Sequence, residues 1–325
     1  MSRTAETPNK RTARRLHQPG FGRSVKMPVR HDQKISNILC PTDLTARSQK
    51  ALGFAARIAE HTGARITACH VVSDPWFFGG KGLEVGEERE LKFKIREQIN
   101  RCHHLSVGLR SDVFVVETTK EPADVILYLA HTNDVSLIVM KARPGVRSAV
   151  HFGSIVERVV TKAKCPVLLF PSDYLESHDP ECGEPVFRNV LFDYDFSQAT
   201  EDLFIVARSL AEKYKAKLHV VSVLEPPVCV SSSNGFVGTS LATLQTTVET
   251  KLKKVTTSSS ISNISASTAW GDRLETLCKY ADRNNIDLIC TTLSPAQRYF
   301  EKLYKAYLGQ LLATTKCPVL VKQSV

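Results

Sequence analysis

Lys164-Cys165-Pro166-Val167-Leu168-Leu169 returns 152 residues later as Lys316-Cys317-Pro318-Val319-Leu320-Val321. A short apolar run after Cys-Pro, behind a helix-like segment, reads as a buried strand of a sheet covered on both faces. Proline suits the first position of such a strand, where no ladder donor is needed. The same offset recurs upstream. Asp43, in Ile38-Leu39-Cys40-Pro41-Thr42-Asp43, answers to Asp195, in Val190-Leu191-Phe192-Asp193-Tyr194-Asp195. Ala59-Glu60 answers to Ala211-Glu212, and Ala64-Arg65-Ile66 to Ala216-Lys217-Leu218. Four landmarks at one spacing make the chain a tandem repeat of two α/β domains.

Working outward, hydrophobic periodicity predicts strands in repeat 1 at 35–40, 65–72, 112–117, 135–140 and 166–170. Helices are expected between them at 46–61, 84–106, 123–132 and 153–163, with Gly63 stopping the first and Pro122 heading the third. Repeat 2 copies the order, with strands at 187–193, 216–224, 261–268, 287–291 and 318–322 and helices at 198–213, 240–256, 272–284 and 300–314. The expected organisation is a basic disordered tail over 1–33, a first domain over 34–172, a linker over 173–186 and a second domain over 187–325. Strands alternating with helices imply a mostly parallel sheet with right-handed crossovers. Ligands of such sheets sit at the carboxyl ends of strands, where the strand order switches.

The chain of 325 residues suits two domains, each long enough to bury its own core. Its formal charge is +10, but residues 1–34 carry nine Lys or Arg against Glu6 and Asp32, so most of the excess lies in the tail. That tail is too polar to fold alone and reads as a solvated extension, which makes nucleic-acid binding by the folded part a poor expectation. No apolar run approaches the ~20 residues of a membrane helix, and the first thirty residues lack a secretory apolar core. The nine cysteines include no C-x-x-C pair, a cytoplasmic usage, and Cys40, Cys69, Cys165, Cys290 and Cys317, in or beside expected strands, read as small buried hydrophobes. Cys102-His103-His104 suggests no metal site, because adjacent helical side chains diverge.

Four further stretches carry a resemblance: Ile38 to Asp43, His70-Val71-Val72, Leu137-Ile138-Val139-Met140, and Gly153-Ser154-Ile155-Val156-Glu157-Arg158-Val159 before the Cys-Pro strand. With them the chain resembles the universal stress protein family in its tandem form, over 35–171 and 187–323. The resemblance implies two Rossmann-like domains, each a five-stranded parallel sheet of order 3-2-1-4-5 with helices on both faces. It also implies that the last strands, 166–170 and 318–322, pair with each other as the last strands of single-domain relatives do. A homodimer of the whole chain is a further expectation.

Family members that bind ATP are similar in a G-x-x-G-x9-G-[S/T] segment after strand four. Its glycines let backbone amides approach phosphate, and its last Gly-Ser opens a helix whose dipole favours anions. The resemblance places the strand-one acid and the residue after the strand-two His at the base end of the nucleotide. In repeat 1, Asp43, Val71, Gly153 and Ser154 match, while Lys141 replaces the first glycine and the loop is one residue short. Lys141, Arg143 and Arg147 are candidates to hold phosphate by charge instead. In repeat 2 the motif positions fall on Thr292, Pro295, Lys305 and Ala306, and Asp193-Tyr194-Asp195 adds bulk and negative charge.

The candidate site is therefore Asp43, Val71, Lys141, Gly153 and Ser154 in repeat 1, with ATP as candidate ligand, no required cofactor and no metal. No G-x-S-x-G elbow, H-E-x-x-H helix or Walker lysine motif is present. The leading reading is a non-enzymatic cytoplasmic stress-response protein with a degenerate nucleotide pocket in repeat 1 and none in repeat 2. The alternatives are an ATP-binding protein with slow hydrolysis in repeat 1, and an interaction module recruiting an anionic partner through its tail.

Overall fold

The computed structural model describes residues 35–73, 82–101, 109–142, 153–182, 186–225, 241–257, 263–293, 301–315 and 317–323. The expected tail over 1–33 lies outside them. Repeat 1 runs β1 (Asn37–Pro41), α1 (Ala46–Thr62), β2 (Arg65–Val72), α2 (Val85–Arg101), β3 (Ser111–Glu117), α3 (Pro122–Thr132), β4 (Leu137–Ala142), α4 (Ser154–Lys162) and β5 (Val167–Pro171). Repeat 2 runs β6 (Asn189–Asp193), α6 (Gln198–Tyr214), β7 (Lys217–Leu224), α7 (Leu241–Thr257), β8 (Ile264–Trp270), α8 (Arg273–Arg283), β9 (Leu288–Leu293), α9 (Glu301–Thr315) and β10 (Val319–Gln323). Between the repeats lie α5 (Ser172–Ser177) and a 3-10 turn, Pro180–Cys182.

The ten strands form one sheet in the order β3-β2-β1-β4-β5-β10-β9-β6-β7-β8. Each half keeps the order 3-2-1-4-5, and every pairing inside a half is parallel. The two Cys-Pro strands are neighbours at the centre and antiparallel, with Leu168 opposite Leu320 and Val321 opposite Val167. Each strand would be the unpaired edge of its own repeat, so the seam gives both edges a partner. Alternation at the seam serves two cores. Leu168 and Leu320 join the layer under α1 and α6, whereas Val167, Leu169, Val319 and Val321 join the layer under α3, α4, α8 and α9. Both layers continue across the seam, and α4 of repeat 1 packs on β10 of repeat 2.

The helices begin and end as their sequences dictate. Thr45 caps α1 by accepting from Ser48 N, and Gly63 closes it at φ 73°. In repeat 2, Ser197 caps α6, but the closing left-handed position holds Lys215 at φ 54°.

The segment between the repeats is folded onto repeat 1. Residues 172–177 form a helix that buries Tyr174 and Leu175. The Tyr174 ring lies 5.6 Å from both Phe54 and Phe170 and stacks on His178 at 4.0 Å. Beyond it, Arg57 of α1 donates to the Pro180 carbonyl at 3.3 Å. A Pro-, Asp- and Gly-rich composition describes the backbone turns here, but the two apolar side chains decide that the connector is packed. Among the described residues no helix is long and apolar enough to cross a membrane.

Candidate functional site

The site begins where β1 ends. Thr42 N–H donates to the Cys69 carbonyl at 2.8 Å, and His70 Nδ1 lies 2.8 Å from the Thr42 carbonyl, so β2 holds the turn from both sides. Leu44 then adopts φ 60°, a left-handed conformation that costs a bulky residue roughly 1–2 kcal/mol. The kink lets Asp43 Oδ1 accept from Thr45 N–H at 3.1 Å and from Thr45 Oγ1 at 2.7 Å. Phe196 repeats the kink at φ 60°, and there Asp195 accepts from Ser197 N–H at 2.9 Å. The strain is thus written into both repeats beside the strand-one acid.

Above this turn, at the carboxyl ends of β1, β2 and β4, lies a cavity of about 400 Å³. All five candidate residues, Asp43, Val71, Lys141, Gly153 and Ser154, line it. Its apolar wall comes from Val71 together with Pro41, Ile126, Met140 and Val156, four residues that were not among the candidates. The cavity occupies the switch point, since β1 is flanked by β2 on one side and β4 on the other. Gly153 sits at φ 104°, where a Cβ would be strained, and precedes α4 without a side-chain cap. The first turn of α4 therefore offers its amides and dipole to an anion.

Lys141 takes a different part from a loose charge on a loop. It is the penultimate residue of β4, its side chain is only 14% exposed, and its ammonium lies 2.5 Å from Asp43 Oδ2 and 2.7 Å from Thr45 Oγ1. Burial pushes the Asp43 carboxyl up, but the bonds from Lys141, Ser48 and Thr45 outweigh it and hold the group well below the usual carboxylate range. Arg143, Arg147 and Gly145 of the expected phosphate loop lie outside the described residues. Among the described residues no cluster of His, Cys, Asp and Glu is arranged to hold a metal ion.

In repeat 2 the acids at the end of the first strand are bonded to the repeat's own side chains. Arg273, the first residue of α8 as Pro122 is of α3, pairs with Asp193 at 2.6 Å and approaches Asp195 at 3.8 Å. Thr291 donates to Asp193 at 2.9 Å, and Thr292 to Asp195 at 2.8 Å. Thr200 also bonds Asp195, and the Arg273 guanidinium lies 5.9 Å from the centre of the Tyr307 ring. Burial raises the Asp193 carboxyl above its ordinary value, with Arg273 and Thr291 pulling the other way. Of the repeat 2 motif positions, Thr292 belongs to this network, Pro295 lies outside the described residues, and nothing is described of the Lys305 side chain. Arg273, Thr291 and Tyr307 escaped the sequence reading. The one available signal was an arginine placed where the other repeat has a proline heading its helix.

The family model described as the universal stress protein family matches residues 34–171 and again 187–322. Among solved structures, a universal stress protein from Archaeoglobus fulgidus is similar at 19% identity and a TM-score of 0.62, over 90% of this chain and 97% of that one. A protein of unknown function from Pseudomonas aeruginosa is similar at 14% identity and a TM-score of 0.54, over 90% of this chain and 93% of its own. At these identities the likeness concerns the fold. No curated protein sequence matches the chain. With the family pattern present twice and the sheet order kept in both halves, the chain belongs to the universal stress protein family, as a tandem of two such domains.

Proposed function

We propose that this protein is a cytoplasmic stress-response protein that binds one nucleotide, in repeat 1, and does not turn it over. The observation that carries the reading is the contrast between the repeats. In repeat 1 the strand-one acid, the β4 end and the uncapped start of α4 surround a cavity of about 400 Å³. In repeat 2 Asp195, the equivalent of Asp43, is bonded to Thr292 and Thr200, and Asp193 beside it to Arg273 and Thr291. A base fits the apolar wall of Val71, Ile126 and Met140, and its phosphates fit the amides after Gly153. Repeat 2 serves as the structural partner through the β5–β10 seam.

Turnover needs a group that orients the attacking nucleophile. The one carboxylate among the described lining residues, Asp43, is engaged by Lys141 and Thr45. Phosphate release from ATP is therefore expected to stay at background in a preparation free of contaminating ATPases. The binding itself is tested by equilibrium titration of the full chain with ATP, run both with and without magnesium. Saturation at one equivalent, lost in Gly153→Asp through bulk and charge repulsion, is the expected result. Two equivalents, no saturation in either buffer, or undiminished binding by Gly153→Asp would overturn the reading.

A further inference from the structure

We infer that the repeat 1 cavity takes its nucleotide as the metal-free anion, with Lys141 supplying positive charge that a divalent ion brings to many nucleotide sites. This rests on the nucleotide reading above and adds the chemical form of the ligand.

The argument starts from the charged groups around the cavity. Among the described residues that line it there is one acid, Asp43, and one base, Lys141. Magnesium in nucleotide sites is usually held by one or two carboxylates together with phosphate oxygens and water, and it demands near-octahedral oxygen geometry. Asp43 is poorly placed to be such a ligand. One of its oxygens accepts twice from Thr45, and the other accepts the Lys141 ammonium at 2.5 Å. To bind a divalent ion, Asp43 would have to release the ammonium, leaving that charge beside the incoming metal.

The other polar groups favour the same form of the ligand. An ammonium has three N–H donors. Two of those of Lys141 go to Asp43 and Thr45, which leaves one for an acceptor in the cavity that the side chain lines. At the other polar boundary, Gly153 precedes α4 and gives its first amides no side-chain cap, so those amides remain donors for a phosphate, although Glu157 of the same turn offsets part of the dipole. Chelation by magnesium cancels two charges of that phosphate and occupies the oxygens these donors would bind. The free anion keeps both sets of interactions, and the chelate weakens both.

Lys141 therefore selects between two forms of one ligand. Removing its charge should reverse the balance, because Asp43 would then face the cavity as an uncompensated carboxylate that repels phosphate and attracts a cation.

The test is ATP titrated into the full chain with EDTA and, separately, with excess magnesium, at ionic strength matched with potassium chloride. The wild-type chain is expected to bind roughly tenfold more tightly in EDTA, the scale of one charge-assisted hydrogen bond. In Lys141→Met, which keeps the length of the stem, the preference disappears or inverts; in Lys141→Arg, which keeps the charge, it persists. Unchanged thermal melts establish that both variants are folded. Binding that needs magnesium, equal binding in the two buffers, or an EDTA preference that survives in Lys141→Met overturns this inference and leaves the nucleotide reading standing. Failure to bind in either buffer overturns both.

Discussion

Asp193 and Arg273 show how a single pair can settle what a whole region does. The Asp193 side chain is 2% exposed and that of Arg273 16%, so neither charge is bearable without the other. Removing the guanidinium strands the carboxylate. Arg273→Met should cost about 3–5 kcal/mol, the range for breaking one side of a buried pair. The pH dependence follows from the carboxyl, which burial already raises above its ordinary value. Without Arg273 the folded state holds a proton there more tightly than the unfolded chain does. Stability is then fully present below the unfolded value of about 4 and falls as pH rises toward the folded one. Denaturant melts at several pH values should show the deficit smallest near pH 4 and growing toward neutrality. Adding Asp193→Asn should recover part of the loss. An Arg273→Met deficit independent of pH would mean that the carboxylate finds another partner.

The two first helices differ at one position that matters to their ends. Gly63 and Lys215 both occupy the left-handed closing residue, at φ 73° and 54°. In each the amide donates back to the last turn, to Ala59 and Glu60 or to Ala211 and Glu212. A lysine pays a steric cost of about 1–2 kcal/mol there that glycine avoids, partly offset by the larger unfolded-state entropy of glycine. Lys215→Gly should therefore stabilise by roughly 0.5–1 kcal/mol, and Gly63→Ala should destabilise by about as much. Thermal melts of the two variants moving in the same direction would contradict this. Elements of this kind could be read in the sequence because their signals are local. Strand β2 was expected at 65–72 and spans those residues, and α1 was expected from a period that buries Leu52, Ala55, Ile58 and Ala59. Helix α5 could not be read that way, since six residues are too few to show a period and its stability comes from Phe54 and Phe170. The site follows the same division. Asp43, Val71, Gly153 and Ser154 were found through the family resemblance, whereas the bond between Lys141 and Asp43 joins residues 98 apart and only the closed sheet brings them together.

At the scale of the whole molecule, the seam between β5 and β10 turns two sheets into one. Inside an isolated repeat either strand would be an edge, and edges fray and exchange early. Here β5 lies between β4 and β10, and β10 between β5 and β9, while β3 and β8 form the true edges. The seam residues Leu168, Leu169, Val319, Leu320 and Val321 are fully buried. Arg57, 5% exposed, ties α1 to the connector, and Tyr214 of α6 stacks on His61 of α1 at 4.5 Å, so contacts also cross above the sheet. Separating the repeats would expose all of this apolar surface at once, at a cost near 25 cal/mol per Å². Opening at the centre should therefore occur only with global unfolding. Native-state hydrogen exchange on the full chain tests this directly. Amides of Val167 to Phe170 and Val319 to Lys322 are expected to be among the slowest, with exchange free energies equal to that of global unfolding. Amides on the outer side of β3 and β8 should exchange through local fraying at much lower free energy. If the seam amides instead exchanged as fast as those of β3 and β8, the two repeats would be separating in solution, and the continuous ten-stranded sheet would not describe the native state.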